Sequence, residues 1–218
     1  MKSEKLATAL DKMGKKREIM AWRVLLCAAF FILHSSLFIS CSEEQAEDAE
    51  YANWQTRNEA YFEQQYQQHL AASTADCFVL RSVTQPSSLE LKDIEHTNCI
   101  LVDVISHGDE NGDVAYFNDV AEVHYEGRLI PSKSYSAGYV FDCSWDGDFD
   151  PAIANPYETE VNGVVNGFFT ALSNMHVGDR WRVTIPYQLG YGVSGSGDVP
   201  GYSTLIFDIR LAGVTHNN

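Results

Sequence analysis

Positive charge is scarce in this chain, whose 218 residues include 15 lysines and arginines against 30 aspartates and glutamates. With a formal net charge of −15 and no basic stripe to meet phosphate groups, the sequence argues against nucleic acid as a partner. No CxxC pair and no Cys/His spacing typical of zinc occurs, so we expect no metal site and no cofactor. The C-terminal half also lacks a nucleophile paired with its base, which disfavours covalent catalysis.

Basic residues are instead concentrated at the N-terminus. Residues 1–40 hold seven of the lysines and arginines and three of the acids, which leaves residues 41–218 with a net charge of −19. The basic segment 15–17 and Arg23 precede an apolar stretch. Residues 34–36 interrupt that stretch before it reaches the roughly 20 residues that a membrane-spanning helix needs. A basic segment followed by a short apolar stretch is typical of an export signal.

The apolar stretch ends at Ser40 and Cys41, a pair that resembles the lipobox of bacterial lipoproteins. The resemblance implies Cys41 as the lipid-attachment site and residues 1–40 as a cleaved signal peptide. Phe38 stands where leucine is usual, and Ser-Glu-Glu at 42–44 is similar to export signals of surface lipoproteins in the Bacteroides group. We therefore expect a lipid anchor in the cell envelope, on the periplasmic or surface face of the outer membrane. An uncleaved N-terminal anchor helix is the alternative.

Three cysteines remain beyond the export signal and Cys41, namely Cys77, Cys99 and Cys143. An exported protein permits one disulfide among them, with one thiol left over, and the sequence does not fix the pairing. Cys143 has no basic neighbour to activate its thiol, so we assign it no catalytic role.

Residues 41–75 are predicted to form an acidic tether followed by an amphipathic helix. Residues 42–50 lack large apolar groups, as is typical of a solvated tether. A helix is predicted over residues 47–72, because aromatic and apolar side chains recur on one face of it. These side chains are Trp54, Phe62, Tyr66 and Leu70. We expect this face to pack on the following domain, with a dimer or partner contact as the alternative, and the sequence leaves the oligomeric state open.

Residues 76–117 are predicted to form an N-terminal β extension. Two short β-rich runs, at 77–83 and 99–105, are followed by a polar turn at 107–113. The acids of that turn do not follow the order of an EF-hand loop, so we expect a plain turn rather than a calcium site.

Residues 118–214 are predicted to form a strand-rich domain with one short helix. The predicted strands cover residues 120–130, 139–142, 181–185 and 204–214, and the helix covers 163–175. The loop over 144–155 is long enough for a functional flap, and a second loop covers 190–201. This order indicates an α+β fold in which a curved antiparallel sheet wraps around one helix.

Five segments of this domain carry aromatic residues in a recognisable order. They are Val-His-Tyr-Glu-Gly at 123–127, Phe-Asp at 141–142, Val-Val-Asn-Gly-Phe at 164–168, Leu-Gly-Tyr-Gly at 189–192 and Thr-Leu-Ile-Phe-Asp-Ile at 204–209. Their order and spacing resemble the FKBP-type peptidyl-prolyl cis-trans isomerases over about residues 118–214. The resemblance implies an antiparallel half-barrel around a short helix, with a hydrophobic pocket between the helix and the sheet.

The resemblance also implies roles for individual residues. The residues matching the family's catalytic pocket are Tyr125, Phe141, Asp142, Phe168, Tyr191 and Phe207. Those matching its substrate contacts are Val164, Val165 and Val199, with the backbone N–H of Val165 meeting the substrate carbonyl. His124 is expected to be a structural histidine that points away from the pocket.

The sequence departs from the family pattern at three points. Phe168 stands where the family places a tryptophan on the pocket floor. The acid at Asp142 is often paired with a nearby arginine, but no arginine occurs between Arg128 and Arg180. The flap phenylalanine is absent in clear register, and Tyr157 or Phe149 is a candidate to replace it.

The activity implied is isomerisation of X-Pro bonds in exported or envelope polypeptides. Twisting a prolyl bond moves no proton and forms no covalent bond, so an apolar slot with one or two hydrogen-bond donors is sufficient. A binding module of the same fold, which holds peptides or a partner without turnover, is the main alternative. A surface lipoprotein that serves envelope or nutrient-capture machinery is a third hypothesis.

Overall fold

The computed structural model describes residues 50–217. The predicted signal peptide, the predicted lipid-attachment site Cys41 and most of the acidic tether lie outside these residues and stay predictions. Within residues 50–217, no helix combines the length and the apolar character needed to cross a membrane.

The first described helix, α1, spans Trp54–Ala72. It begins at Trp54 because Asn53 adopts the left-handed conformation, with φ 54° and ψ 34°, which interrupts helical geometry. The helix packs on the domain that follows, as predicted. The indole Nε1 of Trp54 donates a hydrogen bond of 2.8 Å to the hydroxyl of Ser203.

The predicted apolar face of α1 is wrong at its C-terminal end. Leu70 is 41% exposed, whereas His69 beside it is 4% exposed. Asn58 is also buried, and its amide donates to the carbonyl of Trp54 and accepts the backbone N–H of Thr204. Because these hydrogen bonds satisfy a buried polar side chain, the helix turns a mixed face to the domain rather than a purely apolar one.

Within residues 50–217, seven antiparallel strands form one sheet. They are β1 (Cys77–Arg81), β2 (Cys99–Ser106), β3 (Val120–Arg128), β4 (Val140–Cys143), β5 (Tyr157–Glu160), β6 (Arg180–Ile185) and β7 (Leu205–Thr215). The strand order is β1-β2-β6-β7-β3-β4, and β5 pairs with the first half of β3 beside β4. This is the α+β architecture that the sequence predicted, and residues 76–117 contribute two strands to the same sheet as residues 118–214.

The strand β5 was not predicted. Its sequence, Tyr-Glu-Thr-Glu, is short and mostly exposed, and among the described residues it pairs only with residues 120–123 of β3. An exposed edge strand needs no apolar alternation, so its sequence resembles a loop. The turn predicted at 107–113 contains no strand, as expected.

The second helix, α2, spans Asn166–Leu172 and is shorter than predicted, because a 3₁₀ turn at Val161–Gly163 and an extended segment precede it. It buries Phe168, Ala171 and Leu172 against the sheet. At Gly167 the helix approaches β6 so closely that an added Cβ would lie 2.3 Å from Cγ2 of Ile185. Glycine is therefore the residue that lets α2 sit on the sheet at this depth.

The two faces of the sheet differ in chemistry. Residues directly opposite each other on neighbouring strands share a face. On the face that carries α2, Phe207 lies between Val183 and Gly127, and the surroundings are apolar. On the opposite face, Asp208 lies between Arg182 and Glu126.

The three cysteines of residues 50–217 are all free thiols. Cys99 is buried at the start of β2, where burial raises the pKa of its thiol to about 11. Cys77 lies on β1, and Cys143 ends β4 at the other edge of the sheet. The disulfide that the sequence permits is therefore not formed.

Candidate active site

A cavity of about 210 Å³ opens between α2, β3, β5 and the loop that precedes β7. Apolar and aromatic side chains dominate its wall, with one carboxylate among them. The lining residues are Val123, Tyr125, Asp142, Tyr157, Thr159, Gly163, Val164, Val165, Phe168, Tyr191 and Phe207. A small, mostly apolar concavity of this kind is the usual form of a small-ligand or side-chain binding site.

Three rings from different elements meet edge to face at the floor. The ring centroid of Phe168 on α2 lies 5.1 Å from that of Phe207 on β7 and 5.7 Å from that of Tyr125 on β3. Tyr125 and Phe207 are 6.2 Å apart. Edge-to-face packing holds each ring in one orientation, so the floor is formed before a ligand arrives.

Phe141 supports this floor rather than lining the cavity. Its ring lies 5.5 Å from that of Phe207 and 6.4 Å from that of Tyr191. The close packing of the Phe141 and Phe207 rings depends on Gly127, where an added Cβ would lie 2.6 Å from Cζ of Phe141 and 2.7 Å from Cε1 of Phe207. The Gly that closes the Val-His-Tyr-Glu-Gly segment thus makes room for two aromatic rings.

Tyr125 and Asp142 form the polar edge of the cavity. The Tyr125 hydroxyl donates a hydrogen bond of 2.8 Å to Oδ2 of Asp142. Burial, followed by this bond, raises the pKa of Tyr125 far above its ordinary value, so the phenol stays protonated. Burial and the nearby Asp142 also raise the pKa of Tyr191. Both phenols are therefore neutral donors at physiological pH.

Two donors at the cavity are free to bind a ligand. Within residues 50–217, neither the backbone N–H of Val165 nor the hydroxyl of Tyr191 has a hydrogen-bond partner. Val165 is the residue that precedes α2, so its N–H belongs to a helix end where donors lack intrahelical acceptors. A carbonyl group entering the cavity can accept from one or both of them.

Seven of the nine pocket residues suggested by the sequence line one cavity. They are Tyr125, Asp142, Val164, Val165, Phe168, Tyr191 and Phe207. Phe141 packs behind the floor, and Val199 is buried in the core without reaching the lining. The structure brings the seven together, and their catalytic and binding roles remain predictions.

Sequence reasoning missed Val123, Thr159 and Gly163 at the cavity. Thr159 and Tyr157 reach it from β5, which was not predicted, and the Tyr157 ring lies 5.9 Å from that of Tyr125. Of the two candidates for the flap position, Tyr157 therefore occupies the cavity wall. Val123 lies two residues before Tyr125 on β3, so both side chains fall on one face of the sheet. This spacing was the signal that could have predicted Val123 in the cavity wall.

Phe149, the other flap candidate, lies on the opposite face of the sheet. Its ring contacts His124 at 5.1 Å and lies under the guanidinium of Arg210 at 4.2 Å. The 144–155 loop is thus held against the back of β3 and β7 by Phe149. His124 is buried there and does not line the cavity, as predicted.

Asp142 has no arginine partner among the described residues. Arg128 pairs with Glu126 at 2.6 Å, and Arg180 pairs with Asp208 through two bonds of 2.7 and 2.9 Å. The hydroxyl of Tyr125 is what holds the Asp142 carboxylate instead. Among the residues that the structure describes, this lining offers a metal ion one carboxylate and no imidazole or thiol. His69, Cys77 and Asp103, whose donor atoms do cluster, lie outside it.

Comparison with known proteins agrees with this geometry. A family model described as FKBP-type peptidyl-prolyl cis-trans isomerase matches residues 113–212. The chain is 40% identical over 109 residues to the FKBP-type 22 kDa peptidyl-prolyl cis-trans isomerase of Escherichia coli (strain K12), covering 50% of this chain and 46% of that protein. It is 42% identical over 98 residues to the macrophage infectivity potentiator of Trypanosoma cruzi, covering 44% of each. It thus spans less than half the length of both relatives.

Other relatives are covered more fully. The chain is 30% identical over 115 residues to peptidyl-prolyl cis-trans isomerase FKBP15-3 of Arabidopsis thaliana, covering 53% of this chain and 73% of that protein. A crystal structure of a peptidyl-prolyl cis-trans isomerase from Pseudomonas syringae pv. tomato superposes with a TM-score of 0.48 at 26% identity, covering 73% of this chain and 96% of that one. Because it covers 73% of the 30% identical Arabidopsis thaliana protein and matches the family model over residues 113–212, the chain belongs to the FKBP-type peptidyl-prolyl cis-trans isomerase family.

Proposed function

We propose that this protein catalyses cis-trans isomerisation of X-Pro bonds in polypeptides. The observation that carries the proposal is the aromatic cavity of about 210 Å³, with two unpartnered donors at its wall. The apolar floor accommodates a proline ring, and the donors are positioned for the carbonyls that flank it. The membership of the chain in an isomerase family supports the same reaction.

The reaction demands little of the protein. The barrier to rotation about a peptide bond is about 18–20 kcal/mol, because twisting breaks amide resonance. Twisting also localises electrons on nitrogen and makes the carbonyl less polar, so an apolar surrounding favours the twisted state over the hydrated planar one. An acceleration of about 10⁴-fold requires roughly 5–6 kcal/mol of selective stabilisation.

Named groups supply that stabilisation. Phe168, Phe207 and Tyr125 exclude water from the proline ring, and the N–H of Val165 binds the carbonyl of the substrate. Tyr191 donates a second hydrogen bond from the loop that precedes β7. No side chain exchanges a proton with the substrate, and no covalent intermediate forms.

The direct test is refolding of a protein whose slow phase is limited by prolyl isomerisation. The purified full chain is expected to accelerate that phase in proportion to its concentration. Tyr191→Phe removes one donor and should lower kcat/KM roughly 2- to 10-fold, in line with about 0.5–1.5 kcal/mol for one hydrogen bond. Tyr135→Phe, at an exposed tyrosine outside the cavity, is the matched control. A refolding rate that the full chain leaves unchanged would rule out catalysis.

Peptide binding without turnover is the second candidate function. It is favoured by the Asp142 carboxylate, which has a tyrosine partner and no arginine partner within residues 50–217. Calorimetric titration of a proline-containing peptide distinguishes the two functions. Saturable binding together with an unchanged refolding rate would establish the binding module.

We further propose that the substrates are exported or envelope polypeptides and that Cys41 carries a lipid. The support is the basic and apolar sequence of residues 1–40 with its lipobox-like end. Metabolic labelling of bacteria with an alkyne fatty acid should label the protein, and Cys41→Ala should abolish the label whereas Cys143→Ala keeps it. Equal labelling of both variants would refute the assignment.

A further inference from the structure

A cluster of three potential metal ligands lies where the C-terminal end of α1 meets β1 and β2. The cluster consists of His69, Cys77 and Asp103, and its three donor atoms lie within 4.8 Å of one another. Cys77 and Asp103 are directly opposite each other in the β1–β2 register, so their side chains share a face. His69 reaches them from the last turn of α1.

The imidazole of His69 is oriented as metal-bound imidazoles usually are. Its Nδ1 lies 2.8 Å from the backbone carbonyl of Gln65. A carbonyl can only accept, so Nδ1 carries the proton, and in the neutral ring the lone pair is on Nε2. A histidine that donates from one nitrogen to a backbone carbonyl and ligates through the other is the common arrangement at metal sites.

The second nitrogen, Nε2, lies beside the Asp103 carboxylate. His69 is 4% exposed, and its Nε2 is buried without a hydrogen-bond partner among residues 50–217. It lies 3.3 Å from Oδ1 of Asp103, which makes an ion pair when the ring is protonated but does not meet the geometry of a hydrogen bond. In the neutral ring this buried lone pair faces a carboxylate oxygen, an arrangement that either a proton or a metal ion between the two atoms relieves.

The distance between these two atoms fits a tetrahedral metal ion. Histidine nitrogen and carboxylate oxygen bind zinc at about 2.0–2.2 Å, so two such ligands at the tetrahedral angle are about 3.3–3.6 Å apart. The observed distance of 3.3 Å between Nε2 of His69 and Oδ1 of Asp103 lies at the lower end of this range. The thiol of Cys77 is half-buried at the start of β1 and completes a nitrogen, oxygen and sulfur set.

Charge and access are also compatible with an ion. A Cys77 thiolate, an Asp103 carboxylate and a neutral His69 balance the two charges of a divalent cation. The Asp103 side chain is 40% exposed, which leaves a path for the ion and a fourth position for water. Arg182, the neighbour of Asp103 on β6, also acts on this carboxylate, but its side chain is exposed, so solvent weakens the interaction.

We propose that His69, Cys77 and Asp103 bind one divalent transition-metal ion, for which zinc is the best match. Zinc accepts this mixed donor set in tetrahedral geometry, whereas magnesium and calcium prefer oxygen ligands alone. The ion would connect the end of α1 to the edge of the sheet. The site is separate from the aromatic cavity, and the proposal does not depend on isomerase activity.

Titration of the metal-free full chain with Co²⁺ and Zn²⁺ tests the proposal. With Co²⁺ we expect a thiolate-to-metal charge-transfer band and the intense visible bands of tetrahedral cobalt, both removed by excess Zn²⁺. With Zn²⁺ we expect about one ion per chain that is lost on Cys77→Ser, and a higher Tm for the wild type but not for the variant. Absence of the charge-transfer band in the wild type would overturn the proposal.

Matched variants locate the site. Cys77→Ser, His69→Gln and Asp103→Asn should each weaken zinc binding at least about 10- to 100-fold. His107→Gln is the control, because His107 also contacts an aspartate, Asp76, at 2.8 Å but belongs to no three-ligand cluster among the described residues. Cys143→Ser controls for loss of a thiol. Equal zinc affinity in Cys77→Ser and Cys143→Ser would place the ion elsewhere and refute the proposal.

Discussion

The aromatic cavity and the seam between α1 and the start of β7 both bury large side chains, but they use them differently. We define the α1 seam as Trp54, Asn58, Ser203 and Thr204. At the seam, each of these buried polar groups has a hydrogen-bond partner. At the cavity, the rings pack on one another at the floor and leave an open space of about 210 Å³. Two donors at its wall have no hydrogen-bond partner within residues 50–217. Substitutions at the seam should therefore reduce stability, and substitutions at the cavity should reduce activity.

Trp54→Ala is expected to have the largest effect on stability. It removes a buried ring from the core and the bond from its Nε1 to Ser203, and replacing a buried aromatic by alanine costs about 3–5 kcal/mol. The free energy of unfolding in urea measures the loss. Leu70→Ala on the exposed side of α1 is the control, with a change within about 0.5 kcal/mol. Similar losses in both variants would mean that α1 does not contribute through its buried face.

Asn58→Ala should follow with a loss of about 1–3 kcal/mol. The substitution leaves the N–H of Thr204 buried without its acceptor, and the cost of a buried unsatisfied donor has this magnitude. Isomerase activity per folded molecule should stay within about twofold, since Asn58 does not line the cavity. Gln67→Ala removes an exposed amide bonded to Glu63 and is the control. A loss of activity larger than the loss of stability would contradict the division between seam and cavity.

Val165→Pro tests the contribution of the backbone N–H of Val165 to catalysis. Val165 has φ −61° and the preceding Val164 has φ −106° and ψ 171°, so both backbones accept a proline at this position. The substitution removes the N–H and should lower kcat/KM about 10-fold with little change in the free energy of unfolding. Val165→Ala loses side-chain contacts but keeps the donor, and its loss should be clearly smaller. Equal losses would show that the side chain, not the N–H, carries the effect.

The sequence predicted the cavity better than the seam, for physical reasons. Tyr125, Phe168 and Phe207 lie on the inward face of regular elements, where spacing determines the direction of a side chain. The burial of His69 in place of Leu70 depends on how α1 is rotated on the sheet. That rotation is fixed in part by the hydrogen bonds of Asn58 to a residue 146 positions away, which no local pattern encodes.

Loop and edge residues were the least predictable. Val199 is apolar and close to the cavity in sequence, but it is buried in the core. Thr159 reaches the cavity because β5 pairs with β3. A polar strand of four residues has no repeating apolar pattern from which it could be predicted. The cluster of His69, Cys77 and Asp103 has no motif spacing, because it forms only where a helix end meets two paired strands.

His124 should give the smallest effect, a change in how stability depends on pH. Its ring is buried against Phe149, and Arg210 is its neighbour on β7; burial, followed by the Arg210 charge, lowers the pKa of His124. The unfolded chain therefore binds a proton more readily than the folded one. Stability from this group is fully present above about pH 6.5, the unfolded pKa, and is lost as pH falls towards the folded pKa, with a slope of at most about 1.4 kcal/mol per pH unit. In His124→Leu the decrease in the free energy of unfolding between pH 7.5 and 5.5, measured by chemical denaturation, should be shallower than in the wild type. Because His124 lies behind the cavity, this change should leave kcat/KM at pH 7.5 nearly unaltered, and a large loss of activity would instead couple the back of β3 to the catalytic face.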